Sequence, residues 1–387
     1  LFRSGMTGCD GWLSKATPET GKAEYIGYTY HQNHCTGHCS LKCTVRDGRL
    51  CKIEPNDAGN YAKRYRIACA RALSEIQHVY SAERIQTPLR RAASAERGEG
   101  RFEAISWDEA MAEIKEKLGA VWNTYGKDAV IVAGTSDVKV RYPNLKQIFN
   151  AQQDGRTGID VGVGNGLGPM IGDSSSFVIA TSEARDWTRS RLVILTSTNF
   201  LESSLPSAKT FYEAQEAGAE IISVDTFYTV TASKADEWVP IQAGTDGALF
   251  QGMISAILDN AWYDEASMKT GTSFPFLVEK ASGSMLRQAP TDNIAQKGAE
   301  NPFMVWDADA DAPASYLECT NPALEGEWVI DGVTYTTVFE LLKASQKANG
   351  FTLSWAEGKT GIPAAKIEEL AKKYSHNTPA TLSVEIG

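Results

Sequence analysis

Four cysteines, Cys35, Cys39, Cys43 and Cys69, have the type and spacing to do redox chemistry. Three stand in a C-x3-C-x3-C run, and the fourth follows after 25 intervening residues, two positions before Arg71. Four thiolates so arranged suit a cubane [4Fe-4S] cluster, in which each sulfur caps one iron and a compact loop supplies three corners. Zinc is the rival reading, because Cys-x3-Cys lies within zinc-ligand spacing and His34 and His38 abut the same cysteines. A finger-type zinc module would need a second close pair of ligands. Downstream stand only the single Cys51 and Cys69, with no paired histidines. Disulfides are a third reading, but seven cysteines is an odd number and sparse for 387 residues. The spacing favours the cluster, which requires a second redox centre. Cys9, Cys51 and Cys319 read as spare thiols, and His31, His34 and His38 as packing around the cysteine loop.

The elements that must hold this loop are legible locally. Cys43 to Pro55 reads as two short strands around Asp47-Gly48, a hairpin turn pair that would keep the cysteines rigid. Residues 90–100 are polar and basic and read as a connector. From Ser106 helices and strands alternate. Ser106 and Glu109 make a capping box, and Met111, Ile114, Leu118 and Val121 recur at helical spacing until Gly126. Residues 129–133 read as a buried strand, as do Leu192 to Leu195, Ile221 to Val224 and Trp238 to Ile241. The second of these runs into Thr196, Ser197 and Asn199, the third ends at Asp225-Thr226, and the fourth leads to Gly244, Thr245 and Asp246 opening a helix. Pro363 starts a helix with Ile367, Leu370, Ala371 and Tyr374 on one face, followed by a strand over 380–386. The pattern is α/β, with ligand sites expected at the carboxyl ends of the strands.

Composition sets outer bounds. Hydrophobic content of 42% and charged content of 22% belong to a globular chain long enough for two or three domains. Net charge is −10 and no basic run appears, which argues against nucleic acid as a partner. No apolar stretch approaches the ~20 residues of a membrane helix. The chain opens on Leu-Phe-Arg-Ser-Gly-Met, neither an initiator methionine nor a signal peptide, so either a leader has been removed or the chain starts inside a longer one. Gly387 stands where a strand-to-helix loop should begin, so the fold is expected to continue beyond it.

Together these stretches resemble the molybdopterin oxidoreductases, specifically the dimethyl sulfoxide reductase family. The resemblance rests on Cys35 to Cys69 with Arg71, on Gly98 to Ala110, and on Leu192 to Asn199. It continues through Val224-Asp225 with Thr231-Ala232, Asp236 to Leu249, and Trp355 to Glu369. It implies a [4Fe-4S] domain over 1–100 with short β-hairpins, then Rossmann-like parallel-sheet domains binding pterin guanine dinucleotides. One of these spans 101–160 plus 376–387, the other 161–375 with a surface excursion over 285–335. The C-terminal part of the family fold is expected to be absent from the chain. The implied cofactor is molybdenum bis(molybdopterin guanine dinucleotide) with one protein side chain as a further ligand.

No cysteine lies between Cys69 and Cys319, so the thiolate-ligated branches are disfavoured. Gly172 to Ser176 lies where the family places its ligand and is similar to its Gly-Asp-x-Ser, making Ser175 the expected ligand. Ser174, Ser176 and Asp173 remain alternatives. An alkoxide is a hard donor suited to oxygen-atom transfer. The resemblance further implies dinucleotide contacts at Ser197, Asn199, Glu202, Asp225, Thr226, Gly244 and Asp246, with Arg71 bridging the cluster and a pterin. It implies reduction of an S-oxide or N-oxide, with catechol hydroxyls, oxyanions or hydrocarbons as alternative substrates. A non-catalytic electron-transfer or assembly subunit is the alternative from another class. Implied partners are a C-terminal half of the catalytic chain, a membrane anchor and an iron–sulfur subunit, on the periplasmic face after folded export.

Overall fold

The computed structural model describes residues 24–31, 39–56, 67–126, 129–132, 152–153, 184–205, 208–289 and 301–384. Cys35, Asp173 and Ser174 to Ser176 lie outside the described residues. The chain divides into two compact units, residues 1–159 and 160–387.

In the first unit, strands β1 (Glu24–His31), β2 (Cys39–Arg46) and β3 (Arg49–Pro55) form an antiparallel sheet in that order. The expected hairpin is present. Asp47 at φ 47° and Gly48 at φ 78° supply the two left-handed residues that a tight turn matched to strand twist requires. Strand alternation puts Cys39, Leu41 and Cys43 on one face of β2, with Ile53 opposite Cys43. Two short helices, α1 (Ala70–Leu73) and α2 (Glu75–Val79), pack Ala72 and Ile76 onto that face. They are pinned where the Leu50 amide donates to the Tyr80 hydroxyl at 2.6 Å and Arg49 lies over the same ring.

The ends of the expected connector pair with their flanks as strands β4 (Leu89–Arg91) and β5 (Phe102–Ala104). Helix α3 (Trp107–Tyr125) then starts from its capping box: the Glu109 amide donates to Ser106 Oγ at 3.1 Å, and the Ser106 amide to Glu109 Oε2 at 2.8 Å. Gly126 ends it at φ 84°. Its apolar stripe is not core among the described residues, because Met111 is 58% and Ile114 50% exposed. The cap is made by neighbouring backbone amides and side chains, so the start of the helix is specified locally. Within the strand expected at 129–133, the described residues include β6 (Ile131–Val132), parallel to β7 (Gln152–Gln153).

The second unit is built on a four-stranded parallel sheet. Strands β8 (Leu192–Thr196), β9 (Glu220–Asp225), β10 (Glu237–Pro240) and β16 (Ala380–Val384) lie in the order β10-β9-β8-β16. The sequence reading groups 376–387 with 101–160. Among the described residues, β16 runs parallel beside β8, from Ala380 against Leu192 to Val384 against Thr196. Nothing local in a strand names its neighbour, since any apolar run satisfies the same ladder.

Both faces of the sheet are covered. On one, Leu192, Ile194, Ile222 and Val224 pack against helices α6 (Asp246–Asp259), α9 (Leu353–Thr360) and α10 (Ala364–His376). On the other, Val193, Leu195 and Ile221 meet Trp187, Phe200 in the short helix α4 (Phe200–Ser203), and Phe211 in α5 (Ala208–Glu216). Helix α10 turns Ile367, Leu370 and Ala371 inward, as its periodicity requires, and each large apolar side chain so buried contributes roughly 1.5–3 kcal/mol of hydrophobic stabilisation.

In the stretch 285–335, expected as a surface excursion, the described residues include four strands. After helix α7 (Glu265–Gly271) and strand β11 (Leu277–Glu279) come the hairpins β12 (Met304–Asp307) with β13 (Ala312–Ser315) and β14 (Glu327–Ile330) with β15 (Val333–Thr337). Val305 and Leu324 are buried there, and Trp306 stacks on Trp328 with ring centroids 4.9 Å apart. Helix α8 (Val338–Ala348) leads back to the sheet layer. Asp-, Gly- and Pro-rich turns made the stretch read as irregular, and paired aromatic residues hold it together.

Two expectations follow for stability. A Cβ at Gly252 in α6 would lie 2.6 Å from Ala356 Cβ and 3.1 Å from Ile367 Cγ2, so helix-to-helix contact depends on its absence. Gly252→Ala should therefore destabilise by about 1–3 kcal/mol despite alanine's better helix propensity, measured by denaturant unfolding. At the amino ends of β9 and β10, Lys366 bonds Glu237 and Glu369, and Lys373 bonds Glu220 at 2.7 Å and Glu369 at 3.2 Å. Hydrogen bonding from Lys366 holds the Glu369 carboxyl below its ordinary 4.5. A depressed folded pKa contributes stability above the unfolded value and loses it as pH falls through the folded one. Acid titration below pH 4.5 should thus unfold the native chain more steeply than Glu369→Gln, and equal acid limbs would contradict this.

Candidate cofactor site

The carboxyl ends of β8, β9 and β10 gather most of the sequence-predicted dinucleotide residues. Just past β8, Ser197 adopts φ 56°, a left-handed conformation that costs a non-glycine residue free energy. Two bonds hold it there: its amide donates to the Val224 carbonyl at 3.1 Å, and its hydroxyl donates to Asp246 Oδ1 at 2.5 Å. Asp246 sits in the first turn of α6, where the helix dipole favours a negative charge. The N-cap Thr245 does not cap with its side chain and donates instead to the Gln242 carbonyl at 2.6 Å. Gly244, at φ 75°, has open space where a Cβ would stand, so backbone can approach a ligand closely there.

Asp225 ends β9 and is 8% exposed. Its Oδ1 accepts from the Thr226 amide at 2.7 Å, and its carbonyl accepts from Trp238 Nε1 at 3.3 Å. Asn199 is internally committed: Oδ1 accepts from Thr231 Oγ1 at 2.9 Å, and Nδ2 donates to Glu202. Thr231 Oγ1 also accepts from the Leu201 amide at 2.9 Å, tying the loop after β9 to α4. Asn199 is thus bonded to Glu202 and Thr231, and Ser197, Asp225, Thr226, Gly244 and Asp246 follow the strand ends, where parallel sheets bind ligands.

Sequence reasoning passed over three hydroxyls. Thr196 and Thr198 are buried at and just after the end of β8, Ser223 is buried within β9, and none of the three has a hydrogen-bond partner among the described residues. A buried orphan hydroxyl costs on the order of 1–3 kcal/mol unless a ligand or water satisfies it. The signal for them was small polar residues interrupting apolar strands. Carboxylates to accept N–H and O–H groups, a glycine leaving room, and orphan hydroxyls form a donor and acceptor set that fits a nucleotide.

In the first unit, Cys39, Cys43 and Cys69 belong to one apolar cluster with Leu41, Ile53 and Ala72. Cys69 is the N-cap of α1 and Arg71 lies exposed within it. Burial pushes the Cys43 thiol up from its ordinary value. Bound metal would reverse that, because coordination deprotonates a thiol outright. Among the described residues, no three His, Cys, Asp or Glu side chains are arranged to hold a metal ion. His31 pairs across the ladder with Cys39, and its Nε2 lies 3.3 Å from Glu75, so its contact is with a carboxylate. Cys51 is exposed on β3, with its thiol donating to the Arg49 carbonyl.

At Ser197, two substitutions separate backbone strain from the hydroxyl bond. Ser197→Gly removes both strain and bond and should change stability little, whereas Ser197→Ala keeps the strain, loses the bond and should cost about 1–2 kcal/mol. Chemical denaturation checks the difference.

The Molybdopterin oxidoreductase family profile matches residues 84–316. The chain is 30% identical over 368 residues to a Halobacterium salinarum protein assigned as the catalytic subunit of a dimethyl sulfoxide reductase, covering 92% of this chain and 43% of that one. It is 28% identical over 389 residues to the alpha subunit of dimethylsulfide dehydrogenase from Rhodovulum sulfidophilum, covering 93% and 41%. Acetylene hydratase from Pelobacter acetylenicus shares the fold at a TM-score of 0.52 and 20% identity, over 92% of this chain and 40% of that one. The chain thus spans less than half the length of these relatives. With more than half of its residues inside the family profile and a parallel sheet whose carboxyl ends present nucleotide-type donors and acceptors, the chain belongs to the molybdopterin oxidoreductase family.

Proposed function

We propose that this chain is the N-terminal part of a molybdenum-dependent oxidoreductase that reduces an S-oxide or N-oxide. The observation that carries the reading is the bond from Ser197 to Asp246 at the carboxyl ends of β8 to β10, with Asp225 ending β9 and Gly244 following β10, all within a family-matched segment. Asp225 and Asp246 accept hydrogens from ribose or guanine, Gly244 leaves room for the chain of the ligand, and Thr198 donates its free hydroxyl. When bound, the molybdenum–pterin group supplies two-electron oxygen-atom transfer. The net reaction takes the oxide, two protons and two electrons to the reduced substrate and water. Ser175 is the proposed side-chain ligand, with Asp173 and the neighbouring serines as alternatives.

Cys35, Cys39, Cys43 and Cys69 are proposed to hold a [4Fe-4S] cluster, supported by three of these thiols sharing one small apolar core. Arg71, two residues beyond Cys69, places a cation beside that core, where it would balance the charge of the reduced cluster. Electrons are proposed to come from an iron–sulfur partner protein, with a membrane anchor and a periplasmic location. The remaining half of the catalytic fold is proposed to complete the cofactor pocket. The relatives' names include both a reductase and a dehydrogenase, so the direction of turnover is part of the proposal.

Metal and nucleotide analysis of the purified full-length enzyme tests this. Four irons, one molybdenum and guanine nucleotide per chain are expected, and Cys69→Ser should lose the cluster's electron paramagnetic resonance signal. Iron without molybdenum would leave an electron-transfer subunit instead. Turnover assays with S-oxides, N-oxides and catechols on one preparation then identify the substrate class.

A further inference from the structure

Helix α8 ends on a dipeptide with a chemistry of its own. Asn349 is the C-cap, and Gly350 follows at φ 67°, a left-handed conformation that suits glycine. The Gly350 amide donates to the Lys347 carbonyl at 3.2 Å and the Phe351 amide to the Gln346 carbonyl at 3.1 Å, the paired bonds of a glycine-terminated helix. Asn349 Nδ2 donates to the Ser345 carbonyl at 2.8 Å and lies 3.2 Å from Ser345 Oγ. Both residues of the pair are exposed, and nothing lies within 4 Å of where a Gly350 Cβ would stand. Phe351 then meets Trp355 of α9, with ring centroids 4.6 Å apart, so this turn joins the two helices.

We propose that Asn349 is a site of spontaneous deamidation, gated by opening of this cap. The Gly350 nitrogen loses its proton to solvent base and attacks Asn349 Cγ. The new C–N bond closes a five-membered succinimide, the bond from Cγ to Nδ2 breaks, and Nδ2 leaves as ammonia, taking up a proton from solvent. Water then opens the ring at either carbonyl, leaving aspartate or isoaspartate with no change in oxidation state. Glycine leaves the attacking nitrogen unshielded, and exposure admits the water. While the cap is closed, ψ −6° at Asn349 and the bond to Lys347 hold that nitrogen in the helix end, so reaction awaits opening of the last turn. The product carboxylate cannot donate to the Ser345 carbonyl, and its charge faces the negative end of the helix dipole. Conversion therefore loosens the turn between α8 and α9 irreversibly.

The test incubates the purified full-length enzyme at mildly alkaline pH and follows it by peptide mass mapping, which separates Asn349-Gly350 from the other such pair, Asn165-Gly166. The peptide carrying Asn349 should gain the mass difference between amide and acid and resolve into aspartate and isoaspartate forms, faster at higher pH. Asn349→Gln, which would have to close a larger ring, should not convert on that timescale. A synthetic peptide of residues 345–353, which has no cap to open, should convert severalfold faster than the folded chain. Asn349→Asp should speed amide hydrogen exchange at Gly350 and Phe351 about tenfold, from a lost hydrogen bond and an adverse dipole contact together. No conversion at Asn349 while the free peptide converts fully would overturn the site. Equal rates in peptide and enzyme, or unchanged exchange in Asn349→Asp, would overturn the gating.

Discussion

Everything at the candidate site hangs from the two-sided burial of β8 and β9. Leu192, Val193, Ile194, Leu195, Ile221, Ile222 and Val224 are essentially inaccessible, and alternate members face different helix layers. With both faces packed, neither strand can slip by one residue, because a slip would exchange the two inward sets. The last residues of each strand are consequently set to within the precision of the core. That precision allows Ser197 to be held in a left-handed conformation, and its hydroxyl to reach a carboxylate 49 positions later in the chain.

The two ends of this sheet are managed differently. At the amino ends, Glu220 and Glu237 are neutralised by Lys366 and Lys373 from α10, so charges there are paired. At the carboxyl ends, Asp225 and Asp246 meet no lysine or arginine among the described residues, and their bonded partners are hydroxyls and amides. The unsatisfied Thr196 and Thr198 lie at the same end, with Ser223 two residues before the end of β9. The sheet thus pairs its charges at one end and leaves buried hydroxyls without partners among the described residues toward the other.

The cysteine sheet is held together on different terms. Its core is small, with Cys39, Leu41, Ile53 and Ala72 buried and Cys43 and Cys69 packed against them. Such a sheet gains little from burial alone, and the clamp of Tyr80 and Arg49 on the hairpin supplements it. Metal binding by these thiols would add folding free energy directly, since a thiolate cluster has no counterpart in the unfolded chain.

Local signals in the sequence determined much of this protein. The Asp47-Gly48 turn, the Ser106–Glu109 box, the entry to α6 after Gly244, and the start of α10 at Pro363 are each specified by residues within one turn of the feature, and each appears as read. Carboxylates at strand ends were likewise legible, because Asp225 and Asp246 follow apolar runs closely. Tertiary structure alone decided which strands are neighbours, since the ladder of β16 with β8 joins segments that no local pattern connects. It also decided that Asn199 and Glu202 commit their polar groups to each other and to Thr231, and that the Met111–Ile114 stripe lies exposed among the described residues. Hydrogen bonds within a few residues are encoded by the chain's own geometry, whereas pairing and burial depend on what a distant segment brings, and only the folded molecule contains that information.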